Sequence, residues 1–252
     1  MAGSSEVSGS EAAGSGTLPE TEVRAMFDRI SGVYDRMNQV MTAGLHHRWR
    51  SRAADLASVG PGDRVLDVAT GTGDLALELA DRVAPDGSVI GSDFSERMLD
   101  LARVKAEADN RSLVRFEWAN ALQLPYPDSV FDAATVGFGA RNFSDLEVGL
   151  REMARVVRPG GKVVVLEITT PVKPPLSTFH QLWFDSIVPA LGRIAGDPDA
   201  YNYLPNSVKR FPDPQGLAER MDAAGLERIS WLLTAGGIIA IHVGSVPQSI
   251  SA

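Results

Sequence analysis

The chain has 252 residues, with 24 basic and 32 acidic side chains, a net charge of −8 and 44% apolar content. That length suits one large α/β domain or two small ones, and the acidity argues against a partner read through a broad basic face, so no nucleic acid is expected. With no cysteine and only four scattered histidines, disulfides, thiolate catalysis and the usual zinc spacings fall away, and no metal is expected.

The opening MAGSSEVSGSEAAGSGT holds too little apolar surface to offset the entropy of ordering it, which predicts a disordered tail over residues 1–18 and one domain over residues 19–250. The N-terminus lacks the basic-then-apolar order of a secretion signal, and no apolar run approaches the roughly 20 residues that cross a bilayer, so a cytoplasmic location is expected. Next comes YDRMNQVMTAGLHHRW, Tyr34 to Trp49, which crowds a phenol, an acid, an amide, two imidazoles and an indole ahead of the first strand. It is read as an N-terminal helical cap. Asp35 is read as a cap for a helix around Met37 to Met41 and His46 as a packed or capping histidine; His47 belongs on the surface and Trp49 in the core.

From Pro61 short β-rich runs alternate with helical patterns, which predicts a doubly wound, mostly parallel, Rossmann-like sheet of seven strands. RVLDVA is the first strand; Leu75, Ala76, Leu79, Ala80 and Val83 then recur at helical spacing. SVIGSD is the second strand, Ser95 caps the next helix, LVRFEWA is the third strand and FDAATVGF the fourth. Ser144 is expected to cap a helix that stops at RPGGK, before the fifth strand VVVLEI. RISWLL and GGIIAIHVG follow as a C-terminal antiparallel hairpin around Ala235-Gly236-Gly237, with His242 in the core. Between them the stretch from about 169 to 225 is too long for a simple connection and is read as a lid over the carboxyl ends of the strands.

Gly71-Thr72-Gly73 lies between the first strand and its helix, where doubly wound sheets hold a ligand. The pattern also satisfies the dinucleotide fingerprint, with Asp93 where a ribose-binding acid would sit. Charge separates the two: Asp67 and Asp74 flank the loop and would repel a pyrophosphate, whereas S-adenosylmethionine carries a sulfonium and an ammonium. Asp67 is alternatively an acceptor that ties the loop, and Asp74 a helix cap. Asp93 at the end of the second strand suits a ribose diol. Asn120-Ala121 after the third strand suits an adenine edge or a turn, and Gly137 ends the fourth strand where bare backbone approaches a ligand.

With these residues in view the sequence resembles the class I methyltransferases, and within them the ubiquinone/menaquinone biosynthesis C-methyltransferases, from about Val23 to Gly244. YDRMNQVMTAGLHHRW and RVVRPGGKVVVLEIT look like that family's two signatures, with Thr42 and Thr169 where Ser is usual and Arg158 where Lys is usual. The resemblance implies S-adenosylmethionine as methyl donor, held at Thr72, Asp93, Asn120, Ala121 and Gly137, where Ser is common. It implies methyl transfer to a ring carbon of a polyprenylated quinol. Overall likeness leans to demethylmenaquinol, with a polyprenyl benzoquinol or another small aromatic as alternatives.

Such chemistry needs hydroxyl-orienting groups, a proton acceptor and a dry slot. Tyr34 and Asn142 are expected to orient the quinol oxygens, and Arg141, whose family counterpart is associated with catalysis, to stabilise the phenolate or else to form a structural ion pair. Asp35 and His46 are the alternative bases. A lipid substrate implies transient contact with a membrane surface, peripheral at the inner face of the cytoplasmic membrane. Arg48, Arg50 and Arg52 beside Trp49, with Trp183, Phe184, Ile187 and Leu191, are candidates for that contact; a homodimer is an open expectation. An NAD-dependent oxidoreductase and a non-catalytic cofactor-binding protein rank below methyl transfer. A base methyltransferase ranks lowest, because Gly-Ala-Arg-Asn follows the fourth strand without a Pro-Pro-aromatic step.

Overall fold

A computed structural model of the protein describes residues 20–42, 44–171, 177–178, 182 and 198–248. The expected tail, and Trp183, Phe184, Ile187 and Leu191, lie outside these residues. The sheet has seven strands: β1 (Arg64–Val68), β2 (Ser88–Asp93), β3 (Val114–Trp118), β4 (Phe131–Gly137), β5 (Val157–Ile168), β6 (Glu227–Thr234) and β7 (Ile239–Ser245). Their order is 3-2-1-4-5-7-6; β1 to β5 pair in parallel, and β7 enters antiparallel between β5 and β6.

Because successive side chains on a strand point to opposite faces, β1 and β5 feed two cores at once. Val65, Val164 and Leu166 face one side with Leu75, Leu79 and Ala102, from α3 (Asp74–Val83) and α4 (Glu96–Ala108). Leu66, Val163 and Val165 face the other, with Leu150 and Met153 from α5 (Leu146–Val156). Leu79 and Leu150 have no exposed surface, and each such leucine contributes about 1.5–3 kcal/mol. His242 is likewise fully buried, its Nε2 bonded to the Pro214 carbonyl at 2.9 Å.

The helical cap is present and larger than expected. α1 (Glu20–Thr42) packs on α4, and α2 (Leu45–Leu56) packs on α3 and over β4 and β5. Gly44, at φ 76°, turns the chain between them. Since α1 is continuous from Glu20, Asp35 stands mid-helix and caps nothing, contrary to one of its two readings.

Three helix ends differ from expectation. Asp145, not Ser144, caps α5, its Oδ1 accepting from the Val148 amide at 3.0 Å; a carboxylate in that position adds charge to the cap. Nor does α5 end at a glycine: Val157 already pairs with Phe131, and Arg158 to Gly161 form a bulge inside β5 before Lys162 rejoins β4 opposite Ala133. Gly73, rather than Asp74, is the residue before the first turn of α3, and Asp74 is left to make ion pairs. Residues 169–225 include two described helices that pack differently. α6 (Pro198–Arg210) does lie against α1 and the 3-10 turn Ala140–Asn142, but α7 (Pro214–Ala223) packs between α5 and the β6–β7 hairpin as an ordinary layer helix.

Candidate functional site

The carboxyl ends of β1, β2 and β4 open onto a crevice of about 920 Å³, lined by Asp67, Gly71, Thr72, Asp93, Asn120, Ala121, Gly137 and Asn142 among others. Eight residues singled out from the sequence thus meet in one place, at the switch point where β1 separates β2 from β4.

The glycine loop is tied from below. Asp67 accepts hydrogen bonds from the hydroxyls of Thr70 and Thr135, each at 2.6 Å. Burial pushes its carboxyl up to about 6, against the two threonine bonds and the Arg50 charge. Its loop-tying reading therefore holds, while it also lines the crevice. Asp93 accepts the Gly71 amide on Oδ2 and the Ser95 amide on Oδ1, both at 2.9 Å, and burial raises it too to about 6. A carboxylate has about four acceptor sites, so these bonds leave capacity for a ribose diol. Asn120 Oδ1 accepts the Leu122 amide at 2.9 Å, as its turn reading expects, and the residue also lines the crevice. Gly73 is absent from the crevice lining. It lies behind the loop, where a Cβ would meet Phe116 Cζ at 2.8 Å, so its bareness serves the packing of α3.

Three further expected site residues, Asp35, His46 and Arg141, are not on the crevice wall. Asp35 accepts the Thr72 hydroxyl at 2.7 Å and pairs with Lys105 at 2.8 Å, which binds α1 to the glycine loop. His46 is buried, with Nε2 bonded to Gln39 at 3.0 Å and Nδ1 to Arg50. Burial, with the Arg50 and His47 charges, lowers its pKa to about 4, so it is a neutral packed acceptor. Arg141 pairs with Glu167 at 2.9 Å, the two side chains being 7% and 1% exposed, and also bonds the Phe138 carbonyl. The side chain of Tyr34 lies outside the described residues. His47, Arg48 and Arg52 are exposed and Trp49 packs edge-on to Phe138 at 6.4 Å, but Arg50 is buried and lines the crevice, so it is no membrane contact.

Some site residues escaped the sequence reading. Phe27 of α1 lines the crevice, and the neighbouring Asp28 accepts the Ser95 hydroxyl at 2.5 Å. Glu167 fixes Arg141, and Tyr203 of α6 donates to Asn142 Oδ1 at 3.2 Å. Burial raises the Tyr203 phenol, against the charges of Arg141 and Arg210, so it is a neutral donor. Only the Glu167 signal was local: an acid at the end of an otherwise apolar strand.

The charge pattern tests the cofactor. Among the described residues Asp67, Asp74 and Asp93 line the wall against the single cation Arg50, an arrangement that opposes a pyrophosphate and accommodates a sulfonium and an ammonium. Among the described residues no group of three or more acidic or histidine side chains is placed to hold a metal ion, and no helix is long and apolar enough to cross a membrane.

Comparison with known proteins gives a consistent result. The model of the ubiE/COQ5 methyltransferase family matches residues 16–246. A demethylmenaquinone methyltransferase of Thermus thermophilus is 48% identical over 223 residues, covering 88% of this chain and 100% of that protein. A ubiquinone/menaquinone biosynthesis C-methyltransferase of Ectopseudomonas mendocina is 39% identical over 239 residues, 91% of this chain and 92% of the relative. Among solved structures, an S-adenosylmethionine-dependent methyltransferase from Thermotoga maritima superposes with a TM-score of 0.61 at 20% identity over 88% of this chain and 98% of its own, which supports the fold alone.

Proposed function

The chain belongs to the ubiE/COQ5 methyltransferase family, and from that premise we propose that it transfers the methyl group of S-adenosylmethionine to a ring carbon of demethylmenaquinol, giving menaquinol. The observation that carries this choice of acceptor is the match along the entire length of the Thermus demethylmenaquinone methyltransferase. The Ectopseudomonas relative, named for both quinone pathways, keeps a benzoquinol as the second reading.

The donor supplies an electrophilic methyl on a sulfonium; every other requirement falls to the chain. Asp93 takes the ribose hydroxyls, Asn120-Ala121 the adenine edge, and the Gly71-Thr72 loop lets the ligand approach bare backbone. Beside Gly137 the crevice is walled by Leu75, Phe138 and Phe143, which keep water from the reacting carbon. Asn142, its oxygen already taken by Tyr203, turns its amide N–H groups to a quinol oxygen. Arg141, a guanidinium and so no base, sits off the crevice wall in its pair with Glu167 and acts on the phenolate only through space, from the position next to Asn142, while the proton passes to water. With the donor bound, transfer of the methyl to the ring carbon would leave the neutral thioether, and the hydrogen on that carbon would then leave as a proton to restore the aromatic ring. A polyprenyl tail keeps the acceptor in lipid, so the enzyme works peripherally at the inner face of the cytoplasmic membrane, with the exposed Arg48 and Arg52 as the available cations on α2.

The test is label transfer from S-adenosylmethionine, offering demethylmenaquinone and the benzoquinone precursor each reduced and oxidised in detergent. Label in menaquinone from the reduced naphthoquinol is the expected result. No product with either quinol, despite measured cofactor binding, overturns the acceptor.

A further inference from the structure

Among the described residues lining the crevice Arg50 is the only cation, and its setting is more elaborate than a structural ion pair requires. The residue is 7% exposed and comes from α2. Its Nη1 meets Asp74 Oδ2 at 3.1 Å and His46 Nδ1, and its guanidinium carbon stands 5.7 Å from the centre of the Phe138 ring. An aromatic face and two bonds to one nitrogen fix the plane of the group. They also leave it incompletely used. A guanidinium carries five N–H donors, and no described residue takes Nη2 or Nε.

The counter-charge is shared as well. Asp74 pairs with Lys105 at 2.5 Å in addition to Arg50. His46 brings no charge, since burial and the Arg50 guanidinium keep its ring neutral, so it offers Nδ1 as an acceptor while Nε2–H donates to Gln39. The imidazole thus orients the cation without quenching it.

Sheet order says which part of a ligand arrives there. Asn120 follows β3 and Asp93 ends β2, so adenine and ribose occupy that side; beyond the Gly71 loop of β1 the next residues are Phe138 and Gly137 of β4, beside which Arg50 sits. Resting on the cofactor assignment above, we infer that Arg50 anchors the α-carboxylate of the amino-acid end of S-adenosylmethionine through its free donor edge, and that His46 is the positioning residue that holds it for this task. A bidentate guanidinium–carboxylate contact is the geometry such an edge serves.

The experiment compares two ligands that differ only in that group, S-adenosylmethionine and its decarboxylated form, by calorimetric binding to the full chain. For Arg50→Gln the expected result is a Kd raised about 30- to 100-fold for S-adenosylmethionine and less than about threefold for the decarboxylated ligand, in line with loss of a charge-assisted bond. Arg50→Lys, which keeps the charge without the fork, is expected to lie between and guards against a Gln variant that fails to fold. His46→Leu is expected to weaken only the carboxylated ligand, by about tenfold, and His46→Gln, which can accept and donate in the same places, to restore most of it. Equal loss of both ligands in the Arg50 variants, or loss of neither, overturns the anchor. A wild-type chain that binds neither ligand overturns the cofactor assignment instead.

Discussion

Removing either member of the Arg141–Glu167 pair separates the two uses to which Arg141 can be put. The side chains are 7% and 1% exposed and meet at 2.9 Å, and Glu167 Oε1 also accepts the Arg141 backbone amide at 3.1 Å. A single truncation leaves the other charge buried without its partner, which costs about 3–5 kcal/mol. For a domain of this size each kcal/mol lowers Tm by about 2–4 °C, so Arg141→Met or Glu167→Leu alone is expected to lower it by roughly 6–20 °C. The double variant Arg141→Met/Glu167→Leu removes both charges and is expected to regain at least about 2 kcal/mol over the sum of the singles. Thermal and urea unfolding give the cycle, and turnover is then measured at a temperature where every variant is folded. Loss of turnover in the stable double variant would show that the guanidinium serves chemistry as well as packing. If Arg141→Met cost less than about 1 kcal/mol while abolishing turnover, the guanidinium would not be held by Glu167 as described, and the burial argument would be wrong.

Three further outcomes follow from the crevice. Asp67 and Asp93 are both raised to about 6, above the usual carboxylate value near 4, so they contribute stability to the ligand-free chain that is present at pH 4 and lost as pH rises through 6. A cationic ligand needs them ionised, so its Kd is expected to rise more than about tenfold from pH 7.5 to 5.0 by calorimetry; an unchanged Kd would mean that neither carboxylate feels the ligand's charge. Gly73→Ala places a Cβ 2.8 Å from Phe116 Cζ at φ 86°, whereas Gly71→Ala, at φ 57°, meets nothing within 4 Å. Denaturant midpoints should fall further for Gly73→Ala, by about 2–4 kcal/mol against about 1–2, while cofactor affinity should fall further for Gly71→Ala. Gly137→Ser is tight only against the end of Leu75 at 3.1 Å, its other contacts with Leu166 and Leu75 Cβ being ordinary at 3.9 and 4.0 Å, so stability should change by less than about 1 kcal/mol, and the added hydroxyl should tighten cofactor binding severalfold.

What was legible in the sequence was what one segment decides by itself. The apolar runs of β1, β4 and β5 announce strands buried on both faces, and the stripe from Leu75 to Val83 announces the helix that covers them. The glycine loop and the acid closing β2 are local as well, which is why eight expected residues meet in the crevice. Cap choice was also local but nearly degenerate: Ser144 and Asp145 are both good caps, and one residue of register decides between them.

Partnership across the chain was not legible, and it accounts for the corrections at the site. Asp35, Asp74, His46 and Arg50 each have an ordinary individual explanation, and nothing in their spacing shows that Lys105, far away on α4, pairs with both acids. Once α1 and α4 are packed together, that lysine, the Asp35–Thr72 bond and the Asp28–Ser95 bond form one clasp holding the opening helix to the glycine loop and to the start of α4. The crowding of functional groups from Tyr34 to Trp49 therefore has a physical reason beyond chemistry on a quinol. Much of the polar content there closes a wall, Asp35 by bonding the loop and His46 by orienting Arg50, and these bonds keep buried polar atoms paired where helices meet the open end of the sheet. A wall fastened to the glycine loop through carboxylate and hydroxyl groups shares that loop's position, because the Asp35–Thr72 bond ties α1 to it directly.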